Sequence, residues 1–213
     1  MTGHLDQRGF GITVPEGFIE LPAEVDQEGF DRLQEVVAQR FGLAAGAEVT
    51  EQAALGFATM GALAAQQLAG FVAVAVYRSP DDAERLIMVW LTVTEMPSAH
   101  ESPEVAVQGL VEAHRARGLS EPNKVRLTAG PAVVTVTEEP MLLHVGEQSA
   151  PVLRREVTAW APDPFGTRVA VLSLATNSWP DWAHVCGLAL GVFDSLDWAP
   201  ASTGEEARLG AHP

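Results

Sequence analysis

VLRREVTAWAPDPFGTRVAVLSLATNSWPDWAHVCGLALGVFDSLDWAP, Val152 to Pro200, reads as a hairpin followed by an amphipathic helix. Two β-rich runs, Val152–Trp160 and Thr167–Thr176, flank APDPFG, where two prolines, Asp163 and Gly166 supply the chemistry of a longer turn. Pro180 then leads into a helix in which Trp182, Val185, Ala189, Phe193 and Leu196 recur at helical spacing. Strands that neighbour in sequence, closed by a helix, predict an α+β fold: an antiparallel β-sheet flanked by helices.

Working outward, the opposite end, FGITVPEGFIELP (Phe10–Pro22), gives two short extended segments broken by proline. Asp26 caps a helix over 27–41 that sets Phe30, Leu33, Val37 and Phe41 on one face and stops at Gly42. Thr50 is positioned to cap a second helix running to about Ala69, whose small and apolar residues predict a well-buried element. Residues 71–78 and 85–95 read as strands joined across SPDDAE, and LIMVWLTV (Leu86–Val93) as a central strand covered on both faces, with Trp90 in the core. Ser102-Pro103 starts a third helix that ends at Gly118. Two short strands at 124–128 and 132–137 surround Gly130-Pro131, and the weakly patterned 138–150 reads as a loop or irregular hairpin. The resulting division is a flexible N-terminus (1–9), a single α+β domain (10–198) and a disordered acidic and polar tail (199–213).

Charge narrows the partners. With 13 basic and 28 acidic residues the chain carries a net −15, which repels phosphate backbones and anionic bilayers. Nucleic acid is excluded on that ground. Residues 1–51 hold ten acids against three arginines, so a basic protein surface is the complementary partner for this quarter, with Glu28, Asp31 and Glu35 on the outer face of the first helix as its contacts. Cys186 is the one cysteine, and MTGHLDQRGF lacks the apolar core of a secretory signal, so a cytoplasmic location is expected. Residues 52–77 carry no charge, yet the change from an Ala-rich stretch to FVAVAVY fits a helix feeding a strand better than a membrane span.

Catalytic patterns are not apparent. There is no P-loop, dinucleotide fingerprint or G-x-S-x-G elbow. His184 and Cys186 stand about 200° apart around a helix and cannot share a metal ion. Asp81/Asp82 and Glu138/Glu139 are adjacent acids that point apart, and Ser173 lies mid-strand. No cofactor and no metal are expected. Trp179 and Trp182 form an aromatic wall at i, i+3, and His144 sits in the loosest stretch beside Met141, Leu142 and Leu143. They define the alternative reading, a small-ligand-binding protein or enzyme with its pocket near Trp179 and the 141–144 loop.

The aromatic after VPEG, the Pro-Asp-Pro hairpin turn and Thr176 before the last helix, taken in order from Phe10 to Trp198, resemble the PsbP-like fold group, which includes LpqN-like lipoproteins and the Ran-binding Mog proteins. The resemblance implies an α/β/α sandwich on an antiparallel sheet and a role in binding other proteins. It transfers no functional residue, and the lipobox cysteine of LpqN-like members has no counterpart here. The expectation is therefore a non-enzymatic, cytoplasmic protein-interaction domain of the adaptor or accessory kind, in an oligomeric state that the sequence does not fix.

Overall fold

The structure, a computed structural model, describes residues 3–7, 9–21, 26–44, 46–66, 70–118, 120–145 and 148–198. Its two sheets grow from chain-adjacent strands. β3 (Phe18–Glu20), β4 (Phe71–Arg78), β5 (Leu86–Pro97), β6 (Asn123–Leu127), β7 (Gly130–Val145), β8 (Gln148–Pro162) and β9 (Arg168–Thr176) form a seven-stranded sheet in the order β3-β4-β5-β9-β8-β7-β6. All its pairings are antiparallel. β1 (Gly3–Gln7), β2 (Phe10–Val14) and β10 (Asp197–Trp198) make a second, three-stranded sheet. With helices α1 (Gln27–Phe41), α2 (Glu48–Gln66), α3 (Pro103–Arg117) and α4 (Trp182–Asp194), the fold is α+β, an antiparallel sheet flanked by helices.

Period-2 alternation sorts the large sheet into two faces. Ala73, Leu91, Leu174 and Val157 stand in register on one face, beneath Val185, Ala189, Val192 and Phe193 of α4 and Phe10 and Ile12 of β2. Val72, Val74 and the half-buried Trp90 lie on the other, under Leu33 and Val37 of α1 and Ala54 and Phe57 of α2. α3 covers the far part of that same face, packing Val107 and Val111 against Val133 and Trp160. β5 is central, as its composition predicts, but its burial alternates. Ile87, Val89, Leu91 and Val93 are buried, whereas Met88, Trp90, Thr92 and Thr94 are half-exposed, because helices cover only parts of the second face.

The helix signals at α1 and α3 correspond to the observed caps. Asp26 accepts a hydrogen bond from the Gly29 amide at 2.8 Å, and Ser102 from the Val105 amide at 3.3 Å. Gly42 and Gly118 close the two helices in the left-handed region.

Elsewhere the structure departs from the sequence reading. α2 begins at Glu48, and Thr50 is no cap: it is fully buried inside the first turn and its hydroxyl donates to the Ala44 carbonyl at 3.0 Å. Nor is α2 buried all round, since Val49 and Leu55 are more than half exposed; one stripe faces α1 and β4 and the small residues elsewhere face solvent. The two opening segments enter different sheets, with Gly17 at φ 102° making the turn between them. Gly3–Gln7 pair with β2 where a flexible approach was expected. Residues 138–145 and 148–150 belong to the two strands of a long hairpin, in which Glu138 faces Arg155 and Glu139 faces Arg154. Pro140 is tolerated there because β6 pairs with β7 only as far as Val134, leaving that edge without a ladder bond to lose. The tail 199–213 lies outside the described residues.

Candidate functional site

Three polar clusters hold the side chains with the most chemical potential, and each is saturated internally. In the first, Asp181 ahead of α4 is fully buried. One of its oxygens accepts from Ser79 Oγ at 2.5 Å and Arg85 Nη2 at 3.1 Å, the other from Arg85 Nε at 2.8 Å and Ser178 Oγ at 2.6 Å. The hydrogen bonds from Arg85 hold its carboxyl far below the usual carboxylate range. Asp81 and His184, 3.0 Å apart, add two further potential metal ligands to Asp181. Both Asp181 oxygens already have two donors, however, and a guanidinium supplies the positive charge. The cluster ties the β4–β5 hairpin to the start of α4.

The second cluster is the turn Asp163–Thr167. Asp163, also fully buried, accepts from the Thr167 amide at 2.8 Å and the Thr167 hydroxyl at 2.6 Å. Burial opposes its ionisation, but these bonds and those from Arg168 outweigh burial and lower its pKa. His100, whose side chain is 4% exposed, bridges from Ser98 Oγ (3.0 Å) to the Asp163 carbonyl (3.0 Å). Serine, histidine and aspartate thus meet, but the carboxylate oxygens of Asp163 are bound to the turn rather than to His100, whose nearest approach to one is 3.6 Å. The arrangement fixes the turn rather than priming a nucleophile.

The third cluster is the aromatic wall. Trp179 is 39% exposed and its indole N–H reaches the Leu153 carbonyl at 3.4 Å. The cation that occupies the wall is the protein's own: the Arg155 guanidinium lies 3.8 Å from the Trp179 ring centre and 4.9 Å from that of Trp182, and it pairs with Glu138. His144 lies on β7 opposite Ser149, four residues along β8 from Leu153, or about 13 Å at strand spacing. Its side chain is outside what the structure describes, so Trp179 and the 141–144 segment are not brought together on any contact seen here. Cys186 is half-buried, and burial pushes its thiol up.

Open surface is found around α1 and α2. Glu28, Asp31 and Glu35 are all exposed and, at i, i+3 and i+7, share one stripe of α1. Their internal partners are weak: Gln27 donates to Asp31 at 2.8 Å, and Arg32 stands 3.9 Å from Glu28 with both side chains mostly in water. The first turn of α2 adds the exposed Glu48 and Glu51. On the same side of the sheet an apolar groove of about 540 Å³ opens between the end of α1 (Phe41), α2 (Ala53, Phe57) and the β4–β5 hairpin (Val76, Leu86, Met88). Leu86 at its rim is 57% exposed, and the exposed Glu84 precedes it by two residues.

The acids were legible from charge runs. The groove was not, because Val76, Leu86 and Met88 belong to strands whose partners are set by tertiary pairing. The role of Arg155 had one available signal: Glu138-Glu139 and Arg154-Arg155 are complementary pairs placed as a hairpin would oppose them. Among the described residues no helix is long and apolar enough to cross a membrane. No protein-family model matches the chain, and no curated protein matches it in sequence.

Proposed function

We propose that this chain is a non-enzymatic docking domain that binds a basic, amphipathic segment of another protein on the α1–α2 side of the sheet. The observation that carries this reading is the open apolar groove of about 540 Å³ between the end of α1, α2 and the β4–β5 hairpin, on a side of the sheet whose two helices also expose acids. Apolar side chains of the partner enter between Phe41, Phe57 and Met88, and its lysines or arginines face Glu28, Asp31, Glu35, Glu48 and Glu51. Acids at a rim contribute mainly to the rate and selectivity of encounter, while the groove supplies the desolvated contact. The saturation of the Asp181, Asp163 and Trp179 clusters supports a structural use of those residues rather than turnover. The PsbP-like resemblance agrees with this role, since members of that group chiefly bind other proteins.

The test is affinity capture from native lysate with wild type and the Asp31→Lys/Glu35→Lys variant, at low and high salt. A stoichiometric partner lost at high salt and retained several-fold less by the variant is expected. Equal retention by both proteins removes the acidic stripe from the interface.

A further inference from the structure

β3 is an edge strand. It pairs with β4 through Phe18↔Ala75, Ile19↔Val74 and Glu20↔Ala73, and the Leu21 amide donates to the Val72 carbonyl at 2.8 Å. In an antiparallel ladder hydrogen-bonded and non-bonded pairs alternate, so Leu21 and Ile19 turn their backbone groups toward β4. Phe18 and Glu20 therefore turn theirs outward, and among the described residues no other element receives them. Two depressions of about 480 and 400 Å³ run along this edge and share Phe18, Ile19 and Val36 as walls. Arg40 and Gly17 line the first, Arg32 and Glu20 the second, so α1 runs antiparallel to β3 along one continuous groove. Val36 in the middle is 43% exposed. A three-residue edge normally protects itself by its shortness; here a helix wall extends the surface beyond the strand.

We propose that this groove is a second docking site, distinct from the apolar groove, which takes an extended segment of another protein as an eighth strand on β3. Alternate side chains of such a strand face α1. Arg32 and Arg40 are eight residues apart on the helix, about 12 Å, and strand residues i and i+4 are about 13 Å apart. The matching segment has acidic residues at i and i+4, facing the two arginines, and an apolar residue at i+2 against Val36. Glu16 lines the first depression with Arg40 and feels its charge, and Arg32 stands 3.9 Å from Glu28; both are solvent-exposed charge contacts that an incoming carboxylate exchanges easily. A second copy is disfavoured as the occupant by the like charge of two chains of net −15.

Phage-displayed random twelve-residue peptides are selected on the wild-type protein, and the enriched peptides are titrated against variants. Glu20→Pro deletes the outward N–H without touching the β4 ladder, whereas Glu20→Ala keeps it. The expected result is a shared acidic-x-apolar-x-acidic pattern, binding about tenfold or more weaker to Glu20→Pro than to Glu20→Ala, and similar loss in Arg32→Glu/Arg40→Glu. Hydrogen exchange reads the same contact without a variant: the Phe18 and Glu20 amides become protected on peptide addition. Failure to enrich peptides, or enriched peptides that bind Glu20→Pro as well as Glu20→Ala, overturns the proposal. Peptides lost only on Leu86→Asp also overturn it while leaving the apolar-groove reading intact. Self-association abolished by Glu20→Pro assigns the edge to a second copy, again against the proposal.

Discussion

Replacing Arg155 separates an internally used aromatic wall from an open one. Arg155→Ala removes a stack on Trp179 at 3.8 Å, a looser one on Trp182 at 4.9 Å and the ion pair with Glu138, whose side chain is 41% exposed. The closer stack is worth about 1–2 kcal/mol when partly desolvated and the looser one about 0.5 kcal/mol. The half-exposed pair adds about 0.5 kcal/mol. The sum is about 2–3 kcal/mol, which lowers Tm by roughly 5–10 °C for a chain of this size. Urea unfolding followed by far-ultraviolet circular dichroism avoids signal changes from the tryptophans themselves. Arg155→Met, which keeps the apolar stem, isolates the charge, and a double-mutant cycle with Trp179→Leu should return a coupling of about 1 kcal/mol. A coupling near zero refutes the cation–ring contact and reopens Trp179 as a ligand surface. A thiol assay adds an independent check: the Arg155 charge lowers the Cys186 pKa, so Arg155→Met should slow Cys186 alkylation at pH 8.

Gly166 sits at φ 78°, and a methyl group there would stand 2.4 Å from the His100 carbonyl oxygen, so Gly166→Ala is expected to destabilise by about 2–4 kcal/mol. Gly42 has φ 64° with open space around it, and Gly42→Ala should cost about 1 kcal/mol; equal urea midpoints for the two variants contradict the close approach. Asp163, Asp181 and Asp194 all have lowered folded pKa values, so their contributions are complete above the unfolded carboxylate range and fade as pH falls below about 4. The same sign holds for His114, lowered by burial against Trp160 and then by Arg117, whose loss begins below about 6.5. Urea midpoints should therefore decline from pH 6.5 and steeply below 4, with Asp181→Asn flattening the acid limb. Trp90 keeps a buried indole N–H with no partner among the described residues, so Trp90→Phe should leave stability within about 1 kcal/mol of wild type despite the ring's size. A loss of 3 kcal/mol in equilibrium unfolding contradicts that.

Local signals carried much of the fold. Asp26, Ser102, Gly42 and Gly118 each end a helix where their chemistry requires, and APDPFG makes its turn because Asp163 can collect the amide and hydroxyl of Thr167. Long-range pairing was less legible. Nothing local in FGITV says that β2 leaves the large sheet to pair with β1 and β10, since the same apolar alternation suits either partner. Thr50 looked like a cap because hydroxyls favour that position, yet the Ala44 carbonyl, six residues back and ahead of the helix, satisfied it better. Glu138, Glu139 and Pro140 have poor strand propensity, and cross-strand arginines overrode it. Of the candidate site, Glu28, Asp31 and Glu35 could be read as a helical stripe, whereas the groove is assembled from residues 29 or more positions apart in α2 and β5.

The most direct test of docking on the α1–α2 side is quantitative capture by wild type and Leu86→Asp side by side. Leu86 is 57% exposed, so the substitution should leave the thermal unfolding midpoint nearly unchanged while placing a charge at the mouth of the groove. The expected result is a partner retained by wild type and lost by Leu86→Asp at equal protein stability. The same partner held equally by both proteins contradicts docking in this groove.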